Sequence, residues 1–471
     1  MNPKQKIVLG FLITLSISLF IGIFWIEREL KFKLPEVFLE EPFRPANITV
    51  DTQRNFGPLP GIWRALAQGG EEGGGARMLQ PTVKFLQRIE PVYIRLDHIY
   101  DDDYYGVVKG RQGDGLELDW SRLDATVEDI LTAGAKPFFS LSYMPGALAE
   151  SKIDKPRDWK DWQNLVKETV EHYSGRIDGV YYEVWNEPSL NWFGGWKMYG
   201  RKDYRQLYKY AVLGVESAQG VRPFKIGGPA IPEMDTTWIR LLYDFVLAEN
   251  LRLDFVSWHR YSFFPQDFVN DVYQINVLAN EDKYSQFAEI EKIITEWGPN
   301  SEKDAVYSGK VAASHAVATL RQLLDKISLA FVFEIKDGPD QGVEAWGLLS
   351  HELSATGIKE KPRFYLYHWL AEMKGERLAV SGEGSQIQGF AVKKNRTNYL
   401  ILSNYLTQGA REESFQITFT GLEDGRYRLF QQTLFDQPEE TEVQVGGGSL
   451  VLNVSLPEYS VMRVKLVQIG S

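Results

Sequence analysis

The chain predicts a (β/α)8 barrel followed by an antiparallel β-sandwich, with a transmembrane helix at its N-terminus. Three observations carry this. From about residue 50 to 372, short apolar runs alternate with amphipathic helical stretches. After about residue 375, short segments alternate apolar and polar residues between Gly and Asp turns. Residues 7–26, IVLGFLITLSISLFIGIFWI, hold no charge over the length that crosses a hydrocarbon core.

Taken in order, the apolar run lacks a small-residue cleavage site before Glu27-Arg28, so it reads as an uncleaved anchor over residues 1–26. Lys4 and Lys6 favour a cytoplasmic N-terminus, against Arg28, Lys31 and Lys33 on the other flank. Residues 27–50, with Pro35, Pro42 and Pro45, read as a stalk. The barrel then occupies 51–374. Its strand candidates are VYIRLD (92–97), KPFFSLS (136–142), VYYEVWNE (180–187), FKIGGP (224–229), DFVSWHRY (254–261), KIITEWG (292–298) and LAFVFE (329–334), with an eighth expected before Trp63. Such near-continuous apolar strands are buried on both faces, as in a parallel sheet jacketed by helices. Helical segments between them open on caps such as Asp203 or Thr236. An open doubly wound sheet is the alternative, but no Gly-rich phosphate loop follows the first strand. Residues 375–471, from IQGFAVKK to SVMRVKLV, form the β-sandwich.

Composition narrows the function. With 471 residues, 44% of them hydrophobic, the chain can bury a large core. The absence of cysteine excludes disulfides, thiolate metal sites and cysteine nucleophiles. A net charge of −11 without a basic stripe argues against nucleic acid as a partner. Asp101-Asp102-Asp103 lacks the ligand spacing of a calcium loop, and no His/Glu spacing supports zinc, so neither a metal nor a cofactor is expected.

The chemistry sits where strands end, since barrels of this kind carry their active groups at the carboxyl end of the sheet. Those ends present Asp97 and His98, Ser142, Asn186 and Glu187, His259 and Tyr261, Glu296, and Glu334. Glu187 closes the fourth strand and Glu296 the seventh, on opposite sides of a barrel mouth. Two facing carboxylates in different environments suit glycosidic cleavage: one keeps a proton for the leaving oxygen, and the other stays ionised. Trp192, Trp196 and Trp346 lie in loops after strands, where rings can stack on sugars.

WNEP after one strand and TEWG at the end of a later one resemble the signatures of the retaining-glycosidase clan built on this barrel. The chain most resembles glycoside hydrolase family 39, that of β-xylosidases and α-L-iduronidases, through IRLDHIYDDD (94–103), WHRYS (258–262), AWGLLSHELSATGIKEKPRFYLYHWL (345–370) and the trailing β domain. The resemblance implies Glu187 as general acid/base and Glu296 as nucleophile. It implies Asn186 on the sugar 2-hydroxyl, the pair His259 and Tyr261 beside Glu296, and Arg95 holding the nucleophile ionised. Trp297 and Trp346 are expected at the sugar. Two departures touch the sugar subsite: Asp97 stands where the family commonly has histidine, with His98 next to it, and the eighth strand offers Phe331 and Phe333 in place of tryptophan. The expected substrate is an oligo- or polysaccharide outside the cytoplasmic membrane, with endo-cleavage of an exopolysaccharide favoured by the anchor. Exo-acting β-xylosidase or α-L-iduronidase action, with Arg260 and Lys336 as carboxylate readers, is the alternative. A non-catalytic carbohydrate-binding protein on a decayed barrel is the rival from another class.

Overall fold

The computed structural model describes residues 42–69, 77–113, 115–339 and 345–470. The expected anchor and most of the expected stalk lie outside them. No helix among the described residues is long and apolar enough to cross a membrane.

The first strand, β1 (Ile48–Pro58), is followed by the short β2 (Ala65–Gln68) and β3 (Tyr93–Leu96). A small antiparallel hairpin, β4 (Val108–Gln112) with β5 (Gly115–Leu118), interrupts the barrel after β3. The barrel resumes with β6 (Lys136–Leu141), β7 (Val180–Val184), β8 (Phe224–Ile231), β9 (Phe255–Tyr261), β10 (Glu291–Gly298) and β11 (Leu329–Phe333). It closes in the order β10-β11-β2-β3-β6-β7-β8-β9, and every pairing is parallel. The eighth barrel strand is therefore Ala65–Gln68, after Trp63 and not before it.

Helices join these strands. Asp158, Asp203 and Asp235 accept backbone N–H groups at three helix starts, so the third helix is capped by Asp235 and not by Thr236. Side chains on alternate strand positions divide between two cores. Ala65, Ala67, Phe138, Tyr181, Phe255, Ile293 and Phe331 fill the barrel interior, while Leu66, Phe139, Tyr182, Val256, Ile294 and Val332 face the helices.

The last strands are β12 (Glu376–Ser381), β13 (Ile387–Lys394), β14 (Thr397–Asn404), β15 (Glu413–Thr420), β16 (Gly425–Thr433), β17 (Glu439–Val445), β18 (Ser449–Leu456) and β19 (Val461–Gly470). With β1 they form a nine-stranded sheet in the order β17-β16-β19-β14-β13-β12-β1-β15-β18. Leu400 and Leu429 from one half share a single core with Ile48, Ile417 and Leu456 from the other, so the sheet folds over on itself in sandwich fashion. Ile48–Pro58, expected as the end of a stalk and the start of the barrel, belongs to this sheet instead. It pairs in parallel with β15 and antiparallel with β12.

Candidate active site

Two backbone irregularities aim Glu187 and Glu296 into the barrel mouth. On β10, Ile293 faces the barrel interior and Ile294 the helices, so strict alternation would turn Glu296 outward. The pairing with β9 slips between Ile294 and Glu296, setting Glu296 opposite His259. That extra residue reverses the phase, a known use of a β-bulge near a site. Glu296 thereby enters the mouth, and Trp297 turns out to pack against Phe268 and His315. The expected sugar contact of Trp297 is therefore not made: its ring is buried in the helix-facing core.

On β7 the change is sharper. Trp185 and Glu187 have φ of 74° and 42°, in the left-handed region that side chains rarely adopt. Trp185 turns towards Trp196 and Tyr143, which leaves Asn186 and Glu187 at the mouth. Backbone strain of this kind, about 1–3 kcal/mol per residue, persists where surrounding structure enforces it. Here the Glu187 N–H donates to the Ala230 carbonyl at 2.9 Å, and the Leu190 N–H returns to the Glu187 carbonyl at 3.0 Å.

At the centre lies Arg95, fully buried. Its Nε donates to Glu183 Oε2 at 2.7 Å, Nη1 to Glu296 Oε1 at 3.0 Å and to Asp97, and Nη2 to Asn186 Oδ1 at 2.7 Å. One guanidinium thus serves three carboxylates and an amide. Tyr261 Oη donates to Glu296 Oε2 at 3.0 Å. His259 Nδ1 lies 2.9 Å from Glu187 Oε1 and 3.5 Å from Glu296 Oε2. One carboxylate oxygen of Glu187 and one of Glu296 lie within 4.8 Å of each other. That is the close spacing of a retaining pair, about 5–5.5 Å, and not the wider gap an inverting enzyme leaves for water.

Burial raises Glu187 to about 7, against the pull of Arg95. Burial also raises Asp97 to about 6 and Glu296 to about 8, with neighbouring carboxylates adding to both. This order makes Glu296 the weaker acid, opposite to what double displacement needs, so the hydrogen bonds must decide where the proton sits. Glu296 faces a guanidinium and a phenol, both obligate donors at these contacts, with the Asp97 carboxyl also beside it. Burial and the Glu296 charge keep the Tyr261 phenol protonated. Glu187 faces only the imidazole. The anion therefore belongs on Glu296 and the proton on Glu187. Burial lowers His259 to about 4, leaving it neutral at pH 7. Its Nε2 is buried without a partner among the described residues, and an orphaned lone pair there costs less than an orphaned N–H. The proton is thus assigned to Nδ1, which donates to Glu187 Oε1 and leaves Oε2 free to carry the acidic hydrogen.

His98 stands at φ 53°, bonded through Nδ1 to Ser142 Oγ at 3.0 Å. Its ring stacks on Tyr143 at 3.9 Å and on Phe193 at 5.6 Å, so it builds an aromatic wall beside Asp97. Trp346 is half-buried and meets Phe333 edge-on at 5.9 Å. A Cβ on Gly69 would lie 2.8 Å from the Phe333 ring and 3.3 Å from Asp97 Oδ2, so glycine there lets this second wall close on Asp97. Two participants were missed: Glu183, in mid-strand, and Gln68, which ends the unrecognised strand β2 and donates to Glu334 Oε2 at 3.0 Å. A glutamate inside an otherwise apolar barrel strand was the available signal for the first. Arg260 turns outward to Asp271, and Lys336 is held by Glu352 at 2.8 Å. Glu187, His259 and Glu296 have a spacing a divalent cation could use, yet Arg95 already supplies the positive charge at Glu296.

A (β/α)8 barrel whose mouth holds two carboxyls at this spacing, one of them paired with a buried guanidinium, defines a retaining glycoside hydrolase acting on a carbohydrate. The model of Glycosyl hydrolases family 39 matches residues 46–397, and the chain belongs to that family. A β-xylosidase of Caldicellulosiruptor saccharolyticus is 27% identical over 379 residues, covering 71% of this chain and 73% of its own. A GH39 enzyme of Xanthomonas axonopodis pv. citri superposes with a TM-score of 0.77 at 20% identity, covering 93% of this chain and all of its own. A monomeric β-xylosidase of Caulobacter crescentus gives 0.74 at 22% identity, with 90% and 100% covered.

Proposed function

We propose that the enzyme cleaves neutral, β-linked sugars of the β-xyloside type by double displacement. Glu187 protonates the leaving oxygen through Oε2 while the Glu296 carboxylate attacks the anomeric carbon. Glu187, then anionic, takes a proton from water as the water releases the sugar from Glu296. Arg95 and Tyr261 hold Glu296 ionised, and Asn186, fixed by Arg95, offers its amide N–H to the sugar. The observation that carries this is the contrast in donors at the two carboxyls.

Two further points support the sugar class. A relative aligned over 71% of the chain is a β-xylosidase. The mouth is acidic, and the two cations a uronic acid would need, Arg260 and Lys336, are already paired, which weighs against α-L-iduronide cleavage. The apolar run over residues 7–26 supports action outside a cytoplasmic membrane. Endo-cleavage of an exopolysaccharide is the second reading. It is favoured by the exposed Trp192 beyond the acid, a ring that a simple monosaccharide pocket would not require. A 2-deoxy-2-fluoro-β-xyloside should label Glu296, as read by peptide mass spectrometry. Labelling at another residue, or a wild-type preference for iduronides in a glycoside panel, would overturn the assignment.

A further inference from the structure

Trp192 is 85% exposed, the most exposed among the large hydrophobic side chains of the described residues. It lies five positions past Glu187, in the single turn Asn191–Phe193. Exposed indoles are common on floppy loops, but this loop is braced from within. Besides the Leu190 N–H on the Glu187 carbonyl, the Trp196 N–H donates to the Pro188 carbonyl at 2.8 Å and the Gly195 N–H to the Leu190 carbonyl at 2.8 Å. Trp185 Nε1 donates to the Phe193 carbonyl at 2.7 Å, and Lys202 Nζ to the Gly194 carbonyl at 3.0 Å. Gly194 has φ 118°, and a Cβ there would meet Trp196 Nε1 at 2.6 Å, so the chain must pass this point as glycine.

The turn is also continuous with the catalytic centre. Phe193, next to Trp192, stacks on His98 and Tyr143, and His98 follows Asp97, which Arg95 holds. His98, Tyr143 and Phe193 thus stack together beside Asp97, and the residue before Phe193 in the chain is the exposed Trp192. The acid must reach the glycosidic oxygen, which departs with the leaving group, and this loop is hydrogen-bonded to the acid's own backbone carbonyl.

We infer that Trp192 is the floor of a sugar subsite for the leaving-group side of a β-linked saccharide, where a pyranose C–H face stacks on the indole. An apolar ring held out on a rigid loop loses little conformational entropy on binding, the property that makes Trp a strong contact residue. This deepens the glycosidase reading and rests on Glu187 being the acid.

The test compares wild type, Trp192→Phe and Trp192→Ala on β-xylosyl fluoride, whose leaving group has no ring, and on β-1,4-linked xylo-oligosaccharides of increasing length. Fluoride release should be unchanged in all three. For the oligosaccharides, kcat/KM of Trp192→Ala should fall about tenfold, mostly through KM, with Trp192→Phe recovering part of it. Equal kcat/KM for wild type and Trp192→Ala at every length overturns the subsite. Indole emission separates this from failure of the broader reading. In Glu187→Gln protein, xylo-oligosaccharide should shift the emission, and the shift should vanish when Trp192→Phe is added. If wild type cleaves no xyloside but the shift persists, the glycone assignment fails and the subsite stands. Absence of the shift counts against the subsite.

Discussion

The barrel interior has two storeys built on opposite principles. Towards the amino ends of the strands, Phe138 packs against Phe331 at 4.7 Å, Tyr181 at 5.1 Å and Phe255 at 5.5 Å, with Ile293 completing an apolar plug. Higher up, the barrel strands present Arg95, Glu183, His259 and, after their irregularities, Asn186, Glu187 and Glu296. The lower storey gains from burial, roughly 1.5–3 kcal/mol for each large side chain. The upper storey holds several carboxyls around one guanidinium, so its desolvation is offset only in part. The barrel thus keeps its stability in the lower storey and gives part of it up in the upper one. The site's geometry is held by its own donors on Arg95 and Tyr261, and the apolar floor beneath it supplies stability.

The largest expected effect tests the upper storey. Glu296→Ala should lower kcat by at least on the order of 10⁴-fold, as removal of a nucleophile does in other enzymes. The fold should survive, and the melting temperature should rise, because a buried carboxyl leaves a crowded acidic site. A drop in activity explained by unfolding would break the comparison. The lower storey predicts the reverse. Phe138→Ala should cost about 3–5 kcal/mol in urea unfolding, the usual range for a large aromatic truncated in a core. The kcat of the molecules that remain folded should stay near wild type, with the Glu296 donors intact.

The proton arrangement adds a pH signature. Glu187 is raised to about 7 in the folded protein, while its unfolded value is near 4.5. Between these values the folded state binds more protons than the unfolded one, so stability declines as pH rises through that window. Activity should fall as pH passes about 7 and the acid loses its proton. Glu187→Gln should remove the alkaline limb, flatten the stability decline and cost about 10²–10⁴-fold in rate on poor leaving groups. The checks are kcat/KM against pH and melting temperature against pH. A limb unchanged in Glu187→Gln would assign the proton elsewhere.

How much of this was legible in sequence varies with the distance over which each feature is determined. The barrel strands, Glu187 and Glu296 announce themselves locally, as apolar runs ending on polar residues. The orientation of Trp297 does not, because the bulge that turns it outward is set by pairing with β9. Ile48–Pro58 reads as a polar stalk, since its partners, such as Ile417, lie more than three hundred residues away. The eighth strand, Ala-Leu-Ala-Gln, is too short and small-sided to stand out. Glu183 hid inside an apolar run, its role visible only when Arg95 is brought beside it. His98 is expected at the sugar subsite from its place at a strand end, but its stacking on Tyr143 comes from loops that no periodicity describes.

The smallest predicted effect asks whether the β domain belongs to the floor. Tyr405, just past β14, donates its hydroxyl to the Phe263 carbonyl at 2.7 Å. Its ring meets His315 edge-on at 5.3 Å, and His315 Nε2 lies 2.8 Å from the Ser262 carbonyl, to which it donates. Ser262 N–H in turn bonds the Gly298 carbonyl at 3.1 Å, two residues past Glu296. These contacts pin the segment directly after Tyr261, the phenol that holds Glu296 ionised. Tyr405→Phe removes one hydroxyl and keeps the ring, so it should cost about 1 kcal/mol. If the bond serves only domain docking, that cost appears in unfolding alone. If it positions Tyr261, kcat falls about fivefold and the acid limb, which reports ionisation of the nucleophile, moves to higher pH while KM holds. A fall in stability with an unmoved pH profile would confine the catalytic floor to the barrel.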